Sequence, residues 1–224
     1  MKSINKKIME HNEKREWDNL NSENKSYTTN VLHCFTYRPK WIRKSWIKEE
    51  VITWELIRAL EILPRIYFLK NLLVLINKKN PSCSNICNNL INDLDKIKIE
   101  PYPRRGEKGI EYKQKSDIEL SFGDNCLWIE AKVGLWNKED IVREIRGEKD
   151  SPNLNKYQNN EIIALLPESQ DYDGLRISWR EISKSFEKAN KTLESDFKDI
   201  SIIPGYLKIS RELIGRINTF KINI

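Results

Sequence analysis

Between residues 115 and 134 the chain alternates apolar and polar side chains twice, once on each side of a turn. Ile118, Leu120 and Phe122 alternate with Asp117, Glu119 and Ser121. Successive side chains of a strand point to opposite faces, so this spacing sorts the two sets onto an apolar and a polar face. Gly123, Asp124 and Asn125 then signal a tight turn. Past it, Leu127, Ile129, Ala131 and Val133 fall on one face and Trp128, Glu130 and Lys132 on the other. The expected element is a hairpin whose Asp117 points away from the core, with Glu130 and Lys132 as neighbours on one surface.

Elsewhere the period lengthens. Apolar residues recur at helical spacing over 47–76 and are interrupted at Pro64, which predicts two consecutive helices. A further helix fits 82–94, and a strand from 97 to about 102 leads through a basic loop into the hairpin. Helical segments follow from 138 to 158, then a buried strand at 162–166 and a helix over about 180–193. The order helix, strand, strand, strand, helix, strand predicts an α/β protein with a central mixed sheet flanked by helices and a helical N-terminal extension. Residues 1–29 are polar and charged and are expected to form a loose helix or arm. Residues 30–224 are expected to form one domain, with a helical part at about 47–95 and a core at about 96–190.

Composition narrows the function classes. The chain has 224 residues, 32% of them charged, with a net charge of +6 and a pI near 9.0, which favours a polyanionic partner. Arg104, Arg105, Lys108, Lys113 and Lys115 precede Asp117, and Arg143, Arg146, Lys149 and Lys156 follow Lys132. Such residues could hold a phosphate backbone, although solvated surface is the commoner fate of any one of them. Arg38, Lys40, Trp41, Arg43, Lys44 and Trp46 form a second basic cluster, whose tryptophans fit packing better than base stacking. The four cysteines, spaced without a metal pattern, are expected to be reduced and mostly buried, and His11 and His33 are too few for a histidine-based site. The eight glycines form no phosphate-loop pattern. No signal-peptide pattern or apolar run of membrane-spanning length is visible, so a cytoplasmic protein is expected.

Charged residues on adjacent strands are most often a solvated ladder of ion pairs, and Glu-x-Lys also occurs at Glu23 and Glu111. Only the copy at Glu130 lies in an apolar strand, follows an aspartate-bearing strand across a short turn and precedes a helical segment. Asp117 and Glu130 offer hard oxygen ligands suited to magnesium, and Lys132 a compact cation able to reach a phosphate or an attacking water.

These residues resemble the motif of the PD-(D/E)XK nuclease superfamily, the restriction-endonuclease-like fold. Ser116-Asp117 stands where that family has Pro-Asp, and Glu130-Ala131-Lys132 matches the second half. Asn153-Leu154-Asn155-Lys156-Tyr157 resembles the family's following helix, often Gln-Leu-x-x-Tyr, with Asn153 in place of the glutamine. The segments at 161–166 and 175–182 look like its closing elements, and 30–32 with 49–60 resemble the opening of some bacterial branches. The resemblance implies a restriction-endonuclease-like core and a magnesium-dependent phosphodiesterase, manganese being a possible substitute. It assigns catalytic roles to Asp117, Glu130 and Lys132. It also points to Glu49 as a third metal carboxylate, with Glu50, Glu55 and Glu61 as alternatives in the same turns. The implied substrate is DNA rather than RNA, cut by an endonuclease of a bacterial restriction or phage-defence system; cutting both strands would call for a homodimer or larger assembly. An inactive nucleic-acid-binding or assembly protein on the same fold, and an RNA-directed nuclease, are the alternatives.

Overall fold

Phe122 and Asn125 pair across a two-residue turn in which Gly123 alone has positive φ, at 56°, the type II′ pattern that favours glycine at the first central position. This turn closes the expected hairpin and sets its register. The computed structural model describes residues 48–101, 117–197 and 203–219. The expected polar arm at 1–29, the basic–aromatic cluster at 38–46 and the loop carrying Arg104, Arg105, Lys108, Lys113 and Lys115 lie outside the described residues.

Helices α1 (Lys48–Ile62), α2 (Phe68–Lys79) and α3 (Ser84–Asn92) precede the sheet. Strands β1 (Lys98–Pro101), β2 (Ile118–Phe122) and β3 (Asn125–Ala131) come next, then α4 (Lys138–Lys149) and the single turn α5 (Pro152–Asn155). Strands β4 (Asn159–Leu166) and β5 (Arg176–Ser178) and helices α6 (Trp179–Asp196) and α7 (Ile203–Thr219) complete the order. The protein is α/β, with a five-stranded open sheet in the order β1-β2-β3-β4-β5. The first three strands are mutually antiparallel and the last two run parallel to β3.

The two faces of the sheet bury different amounts of apolar surface. Ile118, Leu120, Leu127, Ile129, Ala131, Ile163 and Leu165 face a large core shared with α1, α2, α3, α6 and α7. Cys126, Trp128, Ile162, Ala164 and Leu166 face a smaller one, closed by Ile141 and Ile145 of α4 and by Leu154. The polar face expected to look outward is therefore itself covered, because the β3–β4 crossover lays α4 across it.

Side chains secure the ends of the sheet. Arg65 donates to the carbonyls of Leu94, Asp95 and Ile97 at 2.8, 3.1 and 2.9 Å, fixing the entry to β1. Asn80 donates to the Arg176 carbonyl and accepts from the Arg176 N–H, at 3.1 and 2.9 Å, so that a side chain satisfies backbone groups on edge strand β5. A capping box joins Ser178 and Glu181 at the start of α6. Helix α7 is absent from the sequence reading, although Ile203, Leu207, Ile214 and Ile217 carry its apolar stripe. No described helix is long and apolar enough to cross a membrane.

Candidate active site

The β2–β3 register pairs Ile118 with Ile129, so one step further places Asp117 across from Glu130 on the same face. Asp117 Oδ2 accepts the Ala131 N–H at 2.8 Å, which holds this carboxylate against β3 between Glu130 and Lys132. Asp117, Glu130 and Lys132 are 4, 7 and 5% exposed. The three residues singled out in the sequence therefore meet at one place. A solvated charge ladder does not describe them.

Lys132 lies just past β3 but is fixed at both ends of its backbone. Its N–H donates to the Leu165 carbonyl, and its carbonyl accepts from Trp179 Nε1, both at 2.8 Å. Its Nζ donates to Glu130 Oε1 at 2.5 Å and sits 3.0 Å from Glu144 Oε2, near enough for an ion pair but out of line for a hydrogen bond. The ammonium also lies under the Trp136 ring, 4.7 Å from its centroid. The backbone of Trp136 is clamped by the buried Gln170 amide, which accepts its N–H at 2.8 Å and donates to its carbonyl at 3.0 Å. Trp136 and Leu135 remain 38 and 57% exposed beside the acidic cluster.

Helix α4 adds two carboxyl groups that the sequence reading did not name. Ile141, Glu144, Ile145 and Glu148 occupy one helical face, so two glutamates stand where a core-facing stripe calls for apolar residues. That interruption was the available signal. Glu148 is 4% exposed and lies close enough to Glu130 to raise the Glu130 carboxyl. Its Oε2 has no hydrogen-bond partner among the described residues. Glu130 and Glu144 thus meet the Lys132 ammonium, and Glu148 stands close enough to Asp117, Lys132 and Glu144 to feel their charges. Burial, and then the proximity of Glu148, push the Glu130 carboxyl up to about 9 despite Lys132. Burial also pushes Glu148 up to about 7, against the lowering effect of Glu130.

An excess of buried carboxyl oxygen over positive charge is the donor chemistry of a hard divalent cation. Among the described residues, no three His, Cys, Asp or Glu side chains converge closely enough to enclose a metal ion. Magnesium does not require such an enclosure, since it keeps several waters and binds through one or two carboxylates plus substrate phosphate. Asp117 and Glu130 fit that demand, provided Lys132 yields part of its contact with Glu130.

Glu49 lies in the first turn of α1, but its side chain, like that of Glu50, is outside the described residues. Of its alternatives, Glu55 pairs with Arg216 and Glu61 with Arg58. Arg143 and Arg146 are on the exposed side of α4, and Arg143 pairs with Asp140 at 2.5 Å. Asn153 sits in the α5 turn, where its backbone N–H meets the Ser151 cap at 3.4 Å. Tyr157 donates to Glu119 at 2.6 Å; Glu119 also accepts from Trp128 Nε1 at 3.0 Å and from Ser121 at 3.1 Å. Glu119 is thereby a structural anchor, distinct in role from Asp117 on the same face. Cys83, Cys87 and Cys126 are buried and unbridged, and burial raises each thiol.

In comparisons with known proteins, the chain matches no family model, no curated protein and no solved structure at a significant level.

Proposed function

We propose that the chain is a metal-dependent nuclease with a restriction-endonuclease-like core, acting on DNA as an endonuclease of a bacterial restriction or phage-defence system. The observation that carries this reading is the convergence of Asp117, just before β2, Glu130 of β3 and Lys132, just after β3, at one buried end of the sheet. Phosphodiester hydrolysis needs charge neutralised at the phosphate and a water held in line with the leaving oxygen. A bound magnesium or manganese ion would polarise the phosphate and lower the pKa of a coordinated water.

The residues supply the rest. Asp117, held by the Ala131 N–H, and Glu130 would hold the cation through their carboxylate oxygens. Lys132, buttressed by Leu165 and Trp179, would supply an ammonium to negative charge developing on the phosphate or the attacking water. The exposed Arg143 and Arg146 lie on the helix that covers the site and suit backbone phosphates. The system-level and DNA parts of the reading rest on the resemblance of the motif.

A second reading, a nucleic-acid-binding or assembly protein without activity, draws on the 2.5 Å contact by which Lys132 already occupies Glu130. Incubation with plasmid, linear DNA and RNA, with and without magnesium or manganese, separates the two. Metal-dependent products support the nuclease. Retained binding with no cleavage in either metal supports the inactive protein.

A further inference from the structure

Glu148 is the carboxylate for which the fold offers no internal explanation. It reaches from α4 into the sheet face that holds Glu130, is 4% exposed, and has one oxygen with no hydrogen-bond partner among the described residues. Other acids nearby have structural partners, although Glu144 Oε2, ion-paired with Lys132, also accepts no hydrogen bond. Glu119 binds Trp128, Tyr157 and Ser121, while Glu144 reaches Lys132 from a partly exposed position. A buried carboxyl oxygen without a donor is costly, and an apolar residue at this position would complete the stripe of Ile141 and Ile145. Its position against Glu130 points to a ligand that brings both positive charge and hydrogen-bond donors.

A hydrated divalent cation has both properties. Because the described carboxylates do not close into a shell, an ion held by Asp117 and Glu130 would keep coordinated waters, and those waters need acceptors. We infer that Glu148 is a positioning residue of the cation site, accepting hydrogen bonds from water coordinated to an ion held by Asp117 and Glu130. Outer carboxylates of this kind orient the bound ion and its waters, and their loss weakens binding without removing a direct ligand. The inference rests on the nuclease reading only in requiring a cation at Asp117 and Glu130. It adds a residue from a helix that the sequence motif does not include.

The test measures cation binding, not turnover. Wild type, D117N and E148Q are stripped with chelator, and manganese and magnesium are titrated by calorimetry and by thermal shift. The expected result is a cation-induced stabilisation of the wild type that D117N loses. E148Q should bind about tenfold or more weakly, yet melt at a higher temperature than the wild type in chelator, because a buried acid has become a neutral amide. If E148Q binds manganese within twofold of the wild type while D117N does not bind, the role of Glu148 is overturned and the cation site stands. If the wild type responds to neither cation, the site and this inference fall together. Circular dichroism checks folding, and E148A, which leaves room for a water, is judged by the same affinity criterion should E148Q not fold.

Discussion

Glu130 on β3 and Glu148 on α4 bring two buried carboxyl groups against each other, and burial first, then their mutual proximity, favour the protonated form of Glu130. Both carboxyl groups are raised above the ordinary carboxylate range near 4.3. The folded state therefore holds protons that the unfolded chain has already released. Stability from this source is complete below about pH 4 and is lost as pH rises toward about 7 and then about 9. Denaturant unfolding in chelator should show a loss on the order of 4 kcal/mol between pH 5.5 and 8.5, about 1.36 kcal/mol for each pH unit over which one proton is retained. E130Q should flatten that slope, and a wild-type profile already matching that of E130Q would contradict the raised Glu130 carboxyl.

Saturating magnesium or manganese should reverse this dependence, because a cation favours the ionised carboxylates. The added stability should grow from pH 5.5 to pH 8.5, as linkage requires of a ligand that competes with protons. Thermal melts at the two pH values, with metal and with chelator, measure it. A cation effect that is equal at both values, or larger in acid, would speak against Glu130 as the ligand.

Asp117 and Lys132 should be needed for chemistry in different ways. D117N keeps an oxygen for the Ala131 N–H, so the fold should persist while metal-dependent cleavage falls about a hundredfold or more. Replacing Lys132 by alanine should lower turnover more than DNA affinity, and should also reduce stability, because Glu130 and Glu144 lose their ammonium. Cleavage by both variants at the wild-type rate would remove the catalytic assignment.

Glu119 offers the opposite outcome on the same face. E119A strips acceptors from Trp128 Nε1, Tyr157 and Ser121, and should cost on the order of 2–4 kcal/mol in equilibrium unfolding. Cleavage per folded molecule should be unchanged. A large loss of activity in fully folded E119A would show that the division of roles between Glu119 and Asp117 is wrong.

The loop beside the site has its own anchor. Q170A removes both hydrogen bonds to the Trp136 backbone, so amide exchange at Trp136 should accelerate at least tenfold while the sheet amides stay protected. Unchanged protection at Trp136 would mean that Lys132 stacking alone holds the loop.

Local pattern was enough to place Asp117, Glu130 and Lys132. The period-two alternation and the glycine turn fix which side chains share a face, because strand geometry couples sequence parity to direction. The same locality made α1, α2, β4 and α6 readable from apolar spacing, with Pro64 marking the break between the first two. It did not reveal that the polar face is buried, or that Glu144 and Glu148 join it. Both follow from where α4 comes to rest on β3 and β4, a contact between distant segments. Burial and proximity to other charges set the protonation of a carboxyl group, and both arise only once the chain has packed. The choice of Asp117 and Glu130 was thus legible along the chain, whereas their burial, and the protonation it favours at Glu130 and Glu148, belong to the tertiary structure.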